Sequence, residues 1–196
     1  MTISVGIDEA GRGPLAGHVA VGVVVIDSGF RIPKALDGIA RTDSKKLSER
    51  SRELWFAAIQ QWQKEGKIRY ACALVSAKEI DAKGIVSAIK KGMATCIKKC
   101  SVPKTAHVFL DGSLYLPKEY INQKTIIKGD ETVPIISLAS IVAKVTRDRH
   151  MKTLAKKYPG YGFEVHKGYG TKAHYAAIQK QGISAVHRNS FLKKLL

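Results

Sequence analysis

Acidic residues are scarce in this chain. Asp and Glu number 16 among 196 residues, against 33 Lys and Arg, for a formal net charge of +17. Such an excess costs self-repulsion unless a polyanion is the partner, so nucleic acid is the leading partner and an anionic membrane surface the runner-up. Long apolar runs are also missing. No stretch approaches the ~18 apolar residues of a membrane span, and the N-terminus lacks the charged-then-apolar layout of a secretory leader. The expectation is a soluble cytoplasmic protein. Cysteine is limited to Cys72, Cys96 and Cys100. An odd count without a C-x-x-C pair argues against a disulfide framework and a zinc site. Repeats and low-complexity segments are absent. What remains is 45% hydrophobic, enough for a core in one domain, or one domain with a small appendage.

Strand patterns fall at Ile3–Ile7, Val19–Ile26, Ile68–Val75, His107–Leu110 and Thr125–Ile127. The second is a near-continuous Val/Ile run, as in a strand buried on both faces. Helical spacing over Ser48 to Glu65 places Leu54, Trp55, Ala58, Ile59 and Trp62 on one face, stopping at Gly66. Ser76 and Glu79 have capping-box spacing and open a helical region to about Cys100 that Gly84 interrupts. Pro134 suits a first helical turn, predicting a long helix over Ile135 to Lys157. Thr171 to Gln181 reads as the last full helix. Early strands in succession, then strands alternating with helices, predict an α/β protein with a mixed sheet and helices packed on it. From about residue 158 the chain is a basic helical region. Lys167, Lys172, Lys180, Arg188, Lys193 and Lys194 alternate there with Tyr158, Tyr161, Phe163, Tyr169 and Tyr175, which suits a surface that tracks a nucleic-acid backbone.

Against the basic background, the few acids at strand ends stand out. Asp8 and Glu9 sit side by side where Ile3–Ile7 meets Gly11-Arg12-Gly13. The ordinary alternative is a turn, since Asp, Gly and Pro are turn residues. A dinucleotide loop fits poorly, because Gly17 comes one residue late for G-x-G-x-x-G and two acids would repel a pyrophosphate. Adjacent carboxylates repel unless a cation lies between them, and bare glycine backbone can approach a phosphate or sugar. Asp111 follows His107–Leu110, and Asp130 follows the strand at Thr125. Asp8, Glu9, Asp111 and Asp130 can therefore converge at one sheet edge and hold one or two Mg2+ or Mn2+ ions, the apparatus of in-line phosphodiester attack. Asp148 competes for the fourth place. Eighteen helical residues separate it from Asp130, about 27 Å, so both cannot serve one site. Flanked by arginines, Asp148 is expected to make a structural ion pair.

These motifs in order resemble the ribonuclease HII (type 2 ribonuclease H) family. The matching stretches are Gly6 to Pro14, Asp43 to Ser48, Phe109 to Gly112, Lys128 to Asp130, Ala139 to Asp148, Tyr158 to Phe163, His166 to Thr171 and His187 to Phe191. Gly11-Arg12-Gly13 differs from the glycine loop of the related ribonuclease HIII group. The resemblance implies a single RNase H-like catalytic domain over residues 1–196, with a mixed five-stranded sheet flanked by helices and a helical C-terminal part. It implies that Asp8, Glu9, Asp111 and Asp130 are the catalytic, metal-holding acids. It places Gly11, Arg12, Gly13 and Tyr169 at the ribonucleotide, and Ser44, Lys45, Lys46, Ser140 and Lys144 at phosphates or in support of the site.

The implied activity is endonucleolytic cleavage of RNA in RNA–DNA hybrids and 5′ of single ribonucleotides in duplex DNA, leaving 3′-hydroxyl and 5′-phosphate ends. The implied partners are those nucleic acids, met by a monomer during replication and ribonucleotide excision repair. The alternatives from other classes are a metal-dependent DNA junction nuclease of similar fold and a non-catalytic hybrid-binding protein. The first lacks a use for Gly11–Gly13 with Tyr169. The second has no need of four acids facing a polyanion.

Overall fold

The computed structural model describes residues 2–36, 38–40 and 46–192. Its frame is a mixed five-stranded sheet in the order β5-β2-β1-β6-β7. The strands are β1 (Ser4–Ala10), β2 (Val19–Ile26), β5 (Ile68–Val75), β6 (His107–Asp111) and β7 (Gln123–Ile126), while β3 (Ala35–Leu36) and β4 (Ile39–Ala40) pair separately. β1 runs antiparallel to β2 and parallel to β6, and β6 runs parallel to β7. The predicted α/β class and five-stranded mixed sheet are what the chain forms.

β2 is buried at every position, as a central strand with both faces covered must be. One face carries α2 (Ala77–Lys83) and α3 (Ile85–Lys99), packed against Val5, Ile7, Val21 and Val23. The other carries α1 (Glu49–Lys64), through Trp55, Phe56 and Ile59, and α5 (Pro134–Lys157). Ile135 through Ala143 of α5 are all buried, so this helix is covered all round where it crosses the sheet. Two glycines permit the close crossing. A Cβ on Gly6 would stand 2.3 Å from the Ile135 carbonyl oxygen, and one on Gly22 would stand 2.3 Å from that of Ala139. Gly22 pairs with Asp8 across the ladder, so the same contact brings Ser140 of α5 to the Asp8 carboxylate.

Several boundaries differ from the sequence pattern. β1 continues through Asp8, Glu9 and Ala10, because β2 pairs with it residue by residue up to Ala10. The apolar pattern stops earlier because it reports burial, not pairing. Gly84, at a φ of +80°, separates α2 from α3 as expected. The Ser76 side chain caps α2 through the Glu79 N–H, but Glu79 turns its own carboxylate to Lys91, so only half of the capping box forms. The short helices α4 (Gly129–Thr132), α6 (Phe163–His166) and α8 (Asn189–Leu192) have no periodicity to announce them. With α7 (Lys172–Gln181), α6 and α8 make up the C-terminal part, which meets α5 and the segment after β1 through Ala16, Met151, Leu154, Tyr161 and Phe163. Among the described residues no helix is long and apolar enough to cross a membrane.

Candidate active site

Parallel neighbours finish at the same sheet edge, so the ends of β1 and β6 set Asp8 and Asp111 side by side. Asp130 arrives on α4, which is pinned to β6 by the Gly129 N–H donating to Asp111 Oδ1 at 2.8 Å. The result is a cluster in which oxygens of Asp8, Asp111 and Asp130 all lie within 4.8 Å of one another. Asp8 and Asp130 are buried and Asp111 is half-buried. Asp8 accepts the Glu9 N–H at 2.7 Å and the Ser140 hydroxyl. Burial pushes the Asp8 carboxyl well above the ordinary carboxylate range despite the Ser140 bond, and the charges of Asp111 and Glu9 push it further. A partly buried group of acids at this spacing is the donor set a hard divalent cation takes, with oxygen ligands about 2.0–2.1 Å away for Mg2+. The residues present therefore fit such an ion.

Glu9 lies outside that three-acid cluster. Successive strand residues face opposite sides, and the Glu9 carboxylate lies 3.4 Å from the Arg12 guanidinium. It nevertheless lines the same cleft, about 280 Å³ in volume, with Asp8, Gly11, Arg12, Gly13, Asp111, Ser140, Lys144 and Tyr169. Ser140, Lys144, the Gly11–Gly13 loop and Tyr169 are thus brought together in this cleft. Lys46 does not line the cleft; its amine bonds Glu131 at 3.0 Å. Ser44 and Lys45 lie outside the described residues.

Asp148 is a structural ion-pair residue, but its partner is Lys144, at 2.9 Å, rather than the arginines beside it in sequence. Arg149 reaches Glu53. Arg147 is buried and donates to the carbonyls of His18, Ala16 and Lys167. Arg188, expected on a basic surface, is fully buried and donates to the carbonyls of Gly11, Arg12 and Gly17. Burial, with the charge of Arg147 beside it, pulls the Arg188 guanidinium below its ordinary range. These two arginines hold the glycine loop. At Gly11, whose φ is +88°, a Cβ would fall 1.9 Å from Arg147 Nε. Sequence reasoning missed both roles, although both residues stood in the matching motifs, because an arginine is by default a solvated residue. Of the interleaved aromatics, Tyr161 and Phe163 are core residues, while Tyr169 is 45% exposed, with Arg147 5.8 Å from its ring centre.

Carboxylates gathered at the end of a mixed sheet, beside a bare loop braced by buried arginines, define an α/β protein of the RNase H-like class. The ribonuclease HII family model matches residues 5–194. A ribonuclease HII from Clostridioides difficile (strain 630) is 44% identical over 97% of this chain and 70% of its own length. Two solved structures share the fold at 26% identity. Ribonuclease H2 from Pyrococcus horikoshii OT3 gives a TM-score of 0.72 over 99% of this chain and 97% of that one. The ribonuclease HII of a PCNA complex from Archaeoglobus fulgidus gives 0.71 over 95% and 93%. The chain belongs to the ribonuclease HII family and is a ribonuclease H endonuclease acting on RNA–DNA hybrids.

Proposed function

We propose that this ribonuclease H cuts the RNA strand of hybrids and also nicks duplex DNA on the 5′ side of a single embedded ribonucleotide, leaving 3′-hydroxyl and 5′-phosphate ends. Asp8, Asp111 and Asp130 hold Mg2+ or Mn2+, with Glu9 completing the acidic set from the neighbouring strand position. The observation that carries this reading is one cleft shared by the acid cluster, the Gly11–Gly13 loop and Tyr169. A pair of such ions supplies an acidified water for in-line attack and charge stabilisation at the leaving oxygen. The chain's own residues do the selecting. Backbone N–H groups at Gly11 and Gly13 reach the ribose 2′-hydroxyl, the group that separates RNA from DNA. The exposed Tyr169 ring presses on the same sugar. Ser140 orients Asp8, and Lys144 adds positive charge beside the phosphate path. In this reading the protein works as a monomer in the cytoplasm, with the basic region from about 158 holding the duplex.

The test uses three substrates, each with and without Mg2+: a duplex holding one ribonucleotide, an all-DNA duplex and a four-way junction. The expected result is a cation-dependent nick 5′ of the ribonucleotide and nothing elsewhere. Junction cutting would make it a DNA nuclease, and tight binding of the first duplex without cutting would make it a binding module.

A further inference from the structure

Five of the six histidines lie in two groups of contacting rings, and the cleavage chemistry described above uses neither group. His18 and His150 form one group. His166, His174 and His187 form the other, which is bonded to the backbone of Tyr169. Its protons can be placed one at a time. The Ser184 N–H can only donate, and it meets His187 Nδ1 at 2.8 Å. The His187 proton is therefore on Nε2. That nitrogen lies 3.1 Å from His174 Nε2, which must accept. The His174 proton is then on Nδ1, 2.9 Å from the Tyr169 carbonyl oxygen, an obligate acceptor. His166 is fixed in the opposite tautomer. Its Nδ1 accepts the Gly168 N–H, its Nε2–H donates to the Tyr161 carbonyl, and its ring stacks on His174 with centroids 4.5 Å apart. Every ring nitrogen in the group has a partner of the sense these tautomers require, and His187 Nδ1 has a second in the Ser184 hydroxyl. Burial favours the neutral ring at two of them, lowering His174 and holding His187 down to about 4.

This chain of bonds ends at Tyr169, the exposed aromatic among the described residues that line the cleft. The segment around Tyr169 lacks a ladder to hold it. Lys167, at a φ of +52°, and Gly168, at +83°, are both left-handed. The Tyr169 N–H donates to the His166 carbonyl, and its carbonyl also accepts the Thr171 N–H. His174 is a helix side chain, buried and rigid, and supplies the fixed point.

We propose that His174 is a positioning residue for ribonucleotide cleavage: locked as the Nδ1–H tautomer by His187, it fixes the Tyr169 carbonyl and so the angle of the Tyr169 ring. The proposal rests on the reading of Tyr169 as the residue that presses on the sugar.

The tautomers can be read without any variant, from long-range 1H–15N correlation of the histidine rings in the whole protein. His174 is expected as Nδ1–H, with His166 and His187 as Nε2–H. A His174 proton on Nε2 overturns the proposal. Kinetics then test the consequence on a duplex with one ribonucleotide. His174→Asn can still present a donor near the Nδ1 position, while His174→Gln cannot. His174→Gln is expected to lower kcat roughly tenfold with KM little changed, and His174→Asn only about twofold, although both lose similar amounts in Tm. Displacements of an ångström or less at a reacting group are enough for such losses. In a Tyr169→Ala background, His174→Gln is expected to cause no further fall in kcat. Equal kcat losses in the two His174 variants, or additive losses with Tyr169→Ala, would show a merely structural histidine and overturn the proposal. Wild-type turnover in Tyr169→Ala alone would instead remove the sugar-contact reading beneath it.

Discussion

The two walls of the cleft are held by opposite means. The acidic wall sets Asp8 and Asp111 on paired strands whose backbone is satisfied by the sheet ladders on either side of β1 and β6, with Asp130 on α4, bonded to β6 through Gly129 and Asp111. The other wall, Gly11 to His18 with Lys167 to Tyr169, has few ladder partners. Its carbonyls are taken by buried side-chain donors: Arg188 at Gly11, Arg12 and Gly17; Arg147 at Ala16, His18 and Lys167; His174 at Tyr169. One wall concentrates negative charge at the place of reaction. The other uses positive and neutral donors behind the backbone, while the N–H groups of Leu15, Ala16 and Gly17 bond the carbonyls of Gly168 and Val186. The acidic wall is expected to govern chemistry and the donor-held wall to govern stability and fit.

The largest expected effect separates the walls by activity. Asp8→Asn or Asp111→Asn removes a ligand charge worth several kcal/mol to the transition state, a loss in turnover of roughly a thousandfold. The fold should survive, and Tm in metal-free buffer should hold or rise, because repulsion within the acid cluster is relieved. Asp130→Asn should impair turnover far more than Asp148→Asn, whose partner is Lys144. Near-normal kcat in either ligand variant at saturating Mg2+ would break the assignment of the acidic wall.

Arg188→Leu is the corresponding substitution on the other wall. It strands buried carbonyls at about 1–3 kcal/mol each, partly offset because a desolvated charge is also removed, for a net loss of about 3 kcal/mol. Arg149→Leu breaks an exposed pair with Glu53 and a cation–π contact with the Phe56 ring, and should cost about 1 kcal/mol. Urea unfolding of the two variants checks the contrast. Similar midpoints would mean that the buried guanidinium does not hold the loop.

How much of each wall could be read from sequence follows from the same contrast. The acidic wall was readable because carboxylates at strand ends are conspicuous in a basic chain. Its strands were readable because Val19–Ile26 and Ile68–Val75 have bounded apolar patterns that the structure reproduces. Asp130 was placed near the others but not on a helical turn. α4 is entered from Lys128, a non-glycine at a φ of +55°, and tertiary contacts hold it, Gly129 to Asp111 and Glu131 to Lys46. The β3–β4 pair was invisible for a similar reason, since two residues per strand carry no period. The donor-held wall was legible in its loop and in Tyr169, but not in Arg147, Arg188 or His174. Rules of burial send arginine outward, and only the geometry shows these side chains facing unpaired carbonyls.

Acid should loosen the donor-held wall first. His18 and His187 are pushed down to about 4, and His150 and His174 are lowered, in each case chiefly by burial. These rings are neutral when folded and take up protons near pH 6.5 when unfolded. Their contribution is therefore intact above about pH 6.5, is lost progressively below it, and levels off near pH 4. For His187 alone the loss approaches about 3 kcal/mol by pH 4. Tm should fall between pH 6.5 and 4.5, less steeply in His187→Gln. Amide exchange should show residues 167–188 losing protection before β1 and β2 do. A flat Tm over that range, or simultaneous loss of both regions, would erase the difference between the walls.

The smallest expected effect concerns how the basic face meets the duplex. Each lysine that displaces a counterion from a phosphate adds roughly one unit to the slope of log K against log salt. Lys172 is exposed at the start of α7, three residues after Tyr169. Lys167 is half-buried and its amine already bonds the Glu164 carbonyl, so its share is smaller. Replacing both with alanine should flatten the slope by about one to two units without moving kcat at saturating substrate. Lys152 and Arg149 make a control on α5, because Glu49 and Glu53 already neutralise them. Removing that pair of cations should change the slope by less than about one unit. If the two double variants shift the slope equally, the duplex spreads over both faces of the C-terminal region. If only Lys152 and Arg149 matter, the phosphate path runs along α1 and α5, and the wall that carries Tyr169 meets the sugar without holding the backbone.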